Sequence, residues 1–293
     1  MRYHSRVPRR PNARALEQAA ASRAAPRARS RAPASEPLAM LVRRGLTPRL
    51  SRPDLPFDPR LPDAALDAIA DRLDHYAFRL FLRGAILATA PFRPLETTRY
   101  LDVAGARRLA EECVALGLAE RRPDERYRLL VRARSFGGTL EWWLARRLAA
   151  RLGLEAVTGV RTGAPGVGGD LDVVASAEGK LVYLELKSGP PKHLTQAELR
   201  SFLARVRAVR PDLTLFVMDT ALRLSDKVVP MFAEALARDR AAGSAPIPAP
   251  RRLVRDTWAL TPHLYLVSAK EDLVENACRA VAEGLRALAP AAP

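Results

Sequence analysis

The sequence predicts an α/β protein: a small sheet with helices packed on it, preceded by a mostly helical region that ends in a basic hairpin. Three observations support this. Residues 137 to 220 read in order as helix, three strands, helix and strand, with one more strand and a closing helix after them. Residues 65 to 116 carry apolar side chains at helical spacing, and two short strands follow. A hydrophobic content of 48% and a charged content of 27% in 293 residues suit a globular protein with a real core.

The elements can be justified in chain order. Residues 1 to 52 hold thirteen Arg, no Lys and two Glu, so they carry +11 of the net +16. Rich in Arg, Ala, Pro and Ser, this stretch has few large apolar groups to offset ordering entropy, and a disordered tail is expected over residues 1–60. Such a tail is either a phosphate-binding arm or a translated upstream region with Met40 as the true start. From Ala65 to Ala88, Leu66, Ile69, Leu73, Tyr76, Ala77, Leu80, Phe81 and Ile86 recur at helical spacing. A Pro-broken stretch, "APFRPLETTRYL", leads to a helix from Ala104 to Leu116 that Gly117 ends. The strands "LAERR" and "RYRLLVR" then flank a turn at Pro123-Asp124-Glu125. This gives a first domain over 61–134 and a second over 135–293.

The second domain opens with "TLEWWLARRLAARLG". Leu140, Trp143, Leu144, Leu148 and Leu152 form its apolar stripe, Thr139 is the expected N-cap, and Gly153 the stop. "LEAVTGVRTG", "GGDLDVVAS" and "KLVYLELKSG" are strands, the last two joined by a Glu178-Gly179 turn. "LTQAELRSFLARVRAV" is a helix, "LTLFVMDT" a buried strand and "SDKVVPMFAEALARD" a helix started or kinked at Pro230. Beyond the Pro-rich loop "GSAPIPAP" come "HLYLVSA" and a helix over 271–289.

Cys113 and Cys278 form no metal or disulfide spacing and read as buried thiols in a reducing compartment, so a cytoplasmic location is expected. No apolar run approaches the roughly 18 residues that span a membrane, and no membrane partner is expected.

The strand "LVYLELKSG" places Glu185 and Lys187 on one face, with Leu184 and Leu186 on the other. Opposite charges there are either an exposed ion pair on an edge strand or the face of an active site. "GGDLDVVA", with Asp172 thirteen residues before the Glu of "ELK", resembles the PD-(D/E)XK nuclease superfamily, the restriction-endonuclease-like fold, over residues 137 to 220. The resemblance implies an αβββαβ core, here with an extra C-terminal strand and helix. The proline of "PD" is absent, replaced by Gly169-Asp170-Leu171. Helix, short helix, helix and basic hairpin over residues 66 to 133 resemble a winged helix-turn-helix domain.

The nuclease resemblance implies a metal-dependent DNA endonuclease. Phosphodiester cleavage needs a cation to neutralise charge on the phosphate and to activate water. Magnesium takes hard oxygen ligands, with manganese as a possible substitute. Asp172 and Glu185 on adjacent strands are the implied carboxylates, the Leu186 carbonyl a further ligand, and Lys187 the group on the attacking water or scissile phosphate. Glu141 matches the family's helical Glu and would complete the metal site directly or through water; otherwise it is a first-turn acid favoured by the helix dipole. Asp170 shares a face with Asp172 and is the alternative ligand. Gln196 matches a polar residue that some family members carry on the helix after the Lys, or else is a solvated helix start. His193 either contacts DNA or has no role. Trp142 with Trp143 reads as core and interface packing rather than a base-stacking platform. The winged-helix resemblance implies DNA contact through Arg107, Arg108, Arg121, Arg122 and Arg126. Glu111, Glu112, Glu120 and Glu125 offset that charge, and docking to protein is the alternative.

The enzyme reading is a magnesium-dependent deoxyribonuclease, akin to Mrr-type restriction enzymes, transposon end-cleaving nucleases or resolvases, with a homodimer possible. The competing readings are a non-catalytic DNA-binding or regulatory protein and an interaction module whose "ELK" face is a salt bridge.

Overall fold

The computed structural model describes residues 35–88, 91–163, 168–239 and 248–290. The Arg-rich stretch 1–34 and most of the loop 243–250 lie outside them. Residues Ala34–Pro293 form one compact unit.

That unit is built on an eight-stranded mixed sheet in the order β1-β4-β5-β6-β7-β10-β9-β8. The strands are β1 (Arg49–Leu50), β4 (Glu155–Arg161), β5 (Leu171–Ala177), β6 (Lys180–Lys187), β7 (Leu213–Met218), β8 (Arg251–Val254), β9 (Thr257–Thr261) and β10 (Leu264–Ser268). β6, β7 and β10 run parallel in the centre, and the flanking pairs are antiparallel. Every residue of β7 is buried, as expected for a strand covered on both faces.

Two hydrophobic layers cover the sheet. On one face lie α2 (Asp63–Leu73), α3 (Tyr76–Leu87), α4 (Val103–Ala115), α5 (Gly137–Leu152) and α8 (Leu273–Leu288), packed on Val173, Ala175, Leu184, Leu186 and Val217. On the other lie α1 (Glu36–Arg43), α6 (Gln196–Val209) and α7 (Val228–Arg238), packed on Val174, Tyr183, Phe216 and Leu266. Tyr183, Phe202, Phe216 and Phe232 form an aromatic cluster on that second face. The first layer runs without a break from α2 to α8, so the expected boundary at residues 134–135 is crossed by one core.

The core αβββαβ order, α5-β4-β5-β6-α6-β7, is the one read from the sequence. The helical run 65–88 divides at Asp74-His75 into α2 and α3, and α4 follows at its expected place. The hairpin β2 (Ala119–Arg121) and β3 (Tyr127–Leu129) pairs antiparallel, with a third extended segment bridging at Phe92↔Tyr127.

Four expectations are corrected. The disordered tail does not extend to residue 60: Leu38, Met40 and Leu41 of α1 and Leu55 and Phe57 after β1 are buried, enough apolar area to hold this segment on the sheet. Two further strands, β8 and β9, precede β10, so the C-terminal addition is three strands and a helix. Thr139 is not the N-cap of α5; the helix begins at Gly137, and Thr139 is fully buried inside its first turn, its hydroxyl without a hydrogen-bond partner among the described residues. Helix α7 begins at Val228, which leaves Pro230 in its first turn, where a proline costs no hydrogen bond.

Candidate active site

Strand pairing places the central residues. The two-residue turn Glu178-Gly179, with φ of 49° and 69°, sets Ala177 opposite Lys180 and carries the register to Val173 opposite Leu184. The paired ladder ends there; one residue further on each strand, Asp172 and Glu185 lie on the same face of the sheet by alternation. Here a side chain replaces the ladder: the Leu186 N–H donates to Asp172 Oδ2 at 2.7 Å. The Lys187 carbonyl turns the other way and accepts from the Asp219 N–H at 2.8 Å on the β7 side. Backbone groups alternate along a strand, so the Leu186 carbonyl turns with its N–H toward Asp172.

Glu185 is only 2% exposed and carries three donors. Lys187 Nζ lies 2.8 Å and Arg205 Nη2 2.7 Å from its Oε1, and the Tyr183 hydroxyl donates to Oε2. Arg205, from α6, also donates to the Tyr183 oxygen at 3.2 Å. Sequence reasoning points to neither Arg205 nor Tyr183. Tyr183 shares the alternation face of Glu185, the one signal available, whereas Arg205 arrives only through packing of α6 on the sheet.

Electrostatics separates the two carboxylates. Burial raises Glu185, but Lys187, Tyr183 and Arg205 outweigh it and hold its carboxyl below the ordinary value. Asp172 has the opposite fate: burial first, then the neighbouring Glu185 charge, push it to about 7, against the Leu186 hydrogen bond, Lys187 and Arg205. Glu141, on the first turns of α5, is pushed to about 8 by burial and then by Asp172, Asp170, Glu185 and Asp54. Of the three acids named from the sequence, Glu141 therefore lies within the field of both Asp172 and Glu185.

They do not close into a cage. Among the described residues no three His, Cys, Asp or Glu side chains are placed to hold an ion by themselves. Glu141 is thus set apart from the Asp172–Glu185 pair as a direct third ligand. The donor set still fits a hard divalent cation of the magnesium class. Such an ion is commonly held by one or two carboxylates, keeping waters and taking other ligands from its substrate. Asp172 keeps most of its acceptor capacity, Glu185 keeps some, and the Leu186 carbonyl adds another oxygen. Carboxyls raised toward neutral pH by burial and mutual repulsion are groups that a cation would discharge.

Asp170 is spent elsewhere. Its Oδ1 accepts from Arg161 Nε and its Oδ2 from Ser51 Oγ, each at 2.8 Å. Gly159, across from Asp172 on β4, has a φ of 61° that a side chain would strain, and the Ser51 N–H donates to its carbonyl at 2.8 Å. Asp54 accepts from the backbone N–H groups of Arg134 and Ser135 ahead of α5. Residues expected in the tail thus brace two sides of the site.

The remaining candidates divide. Gln196 opens α6, whose cap is the reciprocal Thr195–Glu198 pair, and His193 lies exposed in the short turn Pro191–His193. Trp143 is buried beneath the Arg79 guanidinium at 4.6 Å, and Trp142 meets the edge of Phe57, so both are packing groups. On the hairpin side, Arg107 pairs with Glu125, Arg121 with Glu111 and Glu125, Arg122 with Glu120, and Arg126 with Asp124. Arg108 is exposed and forms no ion pair among the described residues.

The raised carboxyls tie stability to pH. Asp172 and Glu141 hold protons more tightly folded than unfolded, so their contribution is full below about pH 4 and is lost as pH rises through 7 to 8. The melting temperature in chelator is expected to fall between about pH 5 and pH 8. Millimolar magnesium should restore it mostly at the upper end, where it has fewer protons to displace. Asp172→Asn should flatten both effects; an unchanged pH slope in that variant would refute the assignment.

No protein-family model and no curated protein matches the chain. Its fold is similar to that of protein VC1899 from Vibrio cholerae, solved by crystallography, with a TM-score of 0.52 and 14% identity. The similarity covers 86% of this chain and 61% of VC1899. Can2 from Sulfobacillus thermosulfidooxidans, solved in complex with cyclic tetra-adenylate, gives a TM-score of 0.39 at 17% identity, over 62% of this chain and 51% of Can2. The Can2 likeness is too low to argue from, and the VC1899 likeness, at its identity, shows a shared fold alone.

Proposed function

We propose that the chain is a metal-dependent nuclease of the PD-(D/E)XK kind that hydrolyses phosphodiester bonds in DNA. The observation that supports it is the arrangement at the end of β6. There Asp172 accepts from the Leu186 N–H, and the Lys187 Nζ lies 2.8 Å from Glu185, so two carboxylates and a Lys meet around one stretch of backbone. Asp172, Glu185 and the Leu186 carbonyl would hold magnesium. When bound, the ion supplies charge neutralisation at the phosphate and lowers the pKa of a water. Arg205 and Tyr183 fix the Glu185 rotamer, which keeps one carboxylate ionised beside Asp172. Lys187, at the strand end, is placed to orient the attacking water or to contact the scissile phosphate. Glu141, raised to about 8 and so largely protonated at neutral pH, would become a further anion beside the site only on losing that proton. The helices α2–α4 and their hairpin have the element order of a winged helix and are the proposed duplex-docking part; its arginines must exchange carboxylates for phosphates to do so.

One observation favours a non-catalytic reading. Glu185 is satisfied by Lys187, Arg205 and Tyr183 together, as a purely structural ion pair would be. The test is digestion of plasmid, linear, single-stranded and branched DNA with magnesium or manganese against a chelator control. Metal-dependent cleavage of any of them is the expected result. No cleavage of all four with either ion would leave only the binding and regulatory readings.

A further inference from the structure

A cleft of about 1060 Å³ opens at the carboxyl ends of β6 and β7, between α3, the segment 95–100 and the loops after the two strands. A second cavity of about 400 Å³ continues it past Tyr76 and Thr220. In sheets with parallel strands this end is where ligands bind. The cleft begins beside the candidate site: Pro190 is three residues beyond Lys187, and Arg83 on α3 donates to the Ser188 carbonyl. Glu198 at the start of α6 feels both Lys187 of the site and Lys227 of the cleft.

Its charge is distinctive. Arg83, Arg99, Lys192, Arg223 and Lys227 line it, opposed by Glu96 and Asp226. None of these five cations forms an ion pair among the described residues, whereas four of the five candidate arginines around the hairpin do. Glu96 accepts from the Arg93 N–H and Asp226 from the Ser225 hydroxyl, and neither forms an ion pair with a lining cation among the described residues. Large apolar groups stand uncovered on the same walls: Tyr100 is 71% exposed, and Leu87, Leu95 and Leu222 are also exposed. Arg83 and Lys227 donate to backbone carbonyls, but no carboxylate pairs with any of the five among the described residues. Cations without a carboxylate partner beside an uncovered aromatic ring match a nucleic-acid strand whose bases are unstacked, with phosphates for the cations and a base face for Tyr100. A duplex offers phosphates but keeps its base faces covered.

We propose that this cleft binds single-stranded nucleic acid and delivers it to the Asp172–Glu185–Lys187 site, with Tyr100 as a stacking platform and Arg99 and Arg223 as phosphate contacts. Delivery to a reacting site rests on the nuclease reading, whereas binding in the cleft stands without it.

The test is therefore run in chelator, by fluorescence anisotropy of labelled oligo(dT), oligo(U) and a blunt duplex on the full chain. Arg99→Glu with Arg223→Glu should weaken both single strands at least tenfold and reduce the salt slope by about 1.4, since two phosphate contacts are lost. Tyr100→Ala should weaken them about fivefold or more. Tyr100→Phe should bind as the native chain does, and duplex binding should hold in every variant. All three positions are exposed, so thermal melting should be native-like and any loss of binding is local. Equal loss on duplex and single strand would overturn the strand selectivity, and unchanged single-strand binding would overturn the site. Retention of oligo(dT) but not oligo(U), or the reverse, would show that the cleft discriminates at the 2′ position or the C5 methyl and would support the proposal. Failure of the nuclease reading would appear instead as binding without cleavage when magnesium is restored.

Discussion

Lys187→Ala and Asp172→Ala are each expected to lower DNA cleavage by about 10²–10³-fold or more while leaving DNA binding within a few-fold of native. On the proposed nuclease reading, binding would rest on many phosphate contacts and cleavage on the few atoms at the end of β6. The two variants should differ in metal affinity. Asp172→Ala removes the carboxylate with most free acceptor capacity, so magnesium binding by calorimetry should weaken sharply; Lys187→Ala should keep the metal and lose the chemical step. Calcium should support binding in the native chain with little cleavage, being larger and less strictly coordinated. Both variants should fold. Without Lys187, Glu185 keeps Arg205 at 2.7 Å and the Tyr183 hydroxyl. Without Asp172, the Leu186 N–H loses its acceptor, at about 1–2 kcal/mol, but a buried carboxyl that resists ionisation goes with it. A Lys187→Ala protein that cuts like the native one, or does not fold, would make the "ELK" face structural.

The centre of this site was legible because its geometry is local. A two-residue turn at Glu178-Gly179 leaves no freedom in the register, so counting back along the hairpin brings Asp172 and Glu185 to one face at the end of the ladder without knowledge of the rest of the fold. Alternation then puts Lys187 on the same face. Arg205 was not legible, because no sequence spacing tells which turn of α6 will lie over β6. Residues 36–57 were hidden by composition: their arginines suggest a solvated tail, yet a handful of buried groups such as Leu41 and Phe57 suffice once the sheet supplies the opposite surface. β8, the outermost strand, was hidden for the reason that edge strands often are. Arg251 and Arg252 are exposed there, and charge on an outer strand blunts its unpaired edge while erasing the apolar alternation. The cleft is the extreme case. It is assembled from α3, the 95–100 segment and two loops after β6 and β7, four pieces that share no sequence pattern. Even its closeness depends on a single atom: a side chain at Gly84 would meet the Thr97 carbonyl oxygen at 1.9 Å, so glycine there lets the segment bearing Tyr100 lie against α3.

Arg79→Ala is expected to destabilise the protein by about 3–5 kcal/mol, the largest stability effect of any single truncation considered for this chain. Arg79 and Asp219 are each 2% exposed. The guanidinium meets the carboxylate through Nε at 3.0 and 3.1 Å and through Nη2 at 2.9 Å, and its Nη1 donates to the Leu73 and Asp74 carbonyls at 2.6 and 3.1 Å. It lies over Trp143 at 4.6 Å and Tyr76 at 5.3 Å. Truncation therefore strands a buried carboxylate and two helix-end carbonyls at once. The loss would not stay within α3. The Asp219 N–H holds the Lys187 carbonyl, so this ion pair is one backbone hydrogen bond from the candidate site. Replacing both partners distinguishes desolvation from attraction: Arg79→Met with Asp219→Leu should recover most of the stability, because neither variant then buries an unpaired charge. Urea unfolding followed by tryptophan fluorescence and by far-UV circular dichroism checks this. The two signals should coincide in the native chain, since Trp143 under Arg79 belongs to the same core as the sheet. In Arg79→Ala the midpoint should fall for both. A loss below about 1 kcal/mol would show that the pair barely exceeds its own desolvation cost. Separated transitions in the native chain would show that the helices α2–α4 unfold apart from the sheet, and that the continuous core does not couple them.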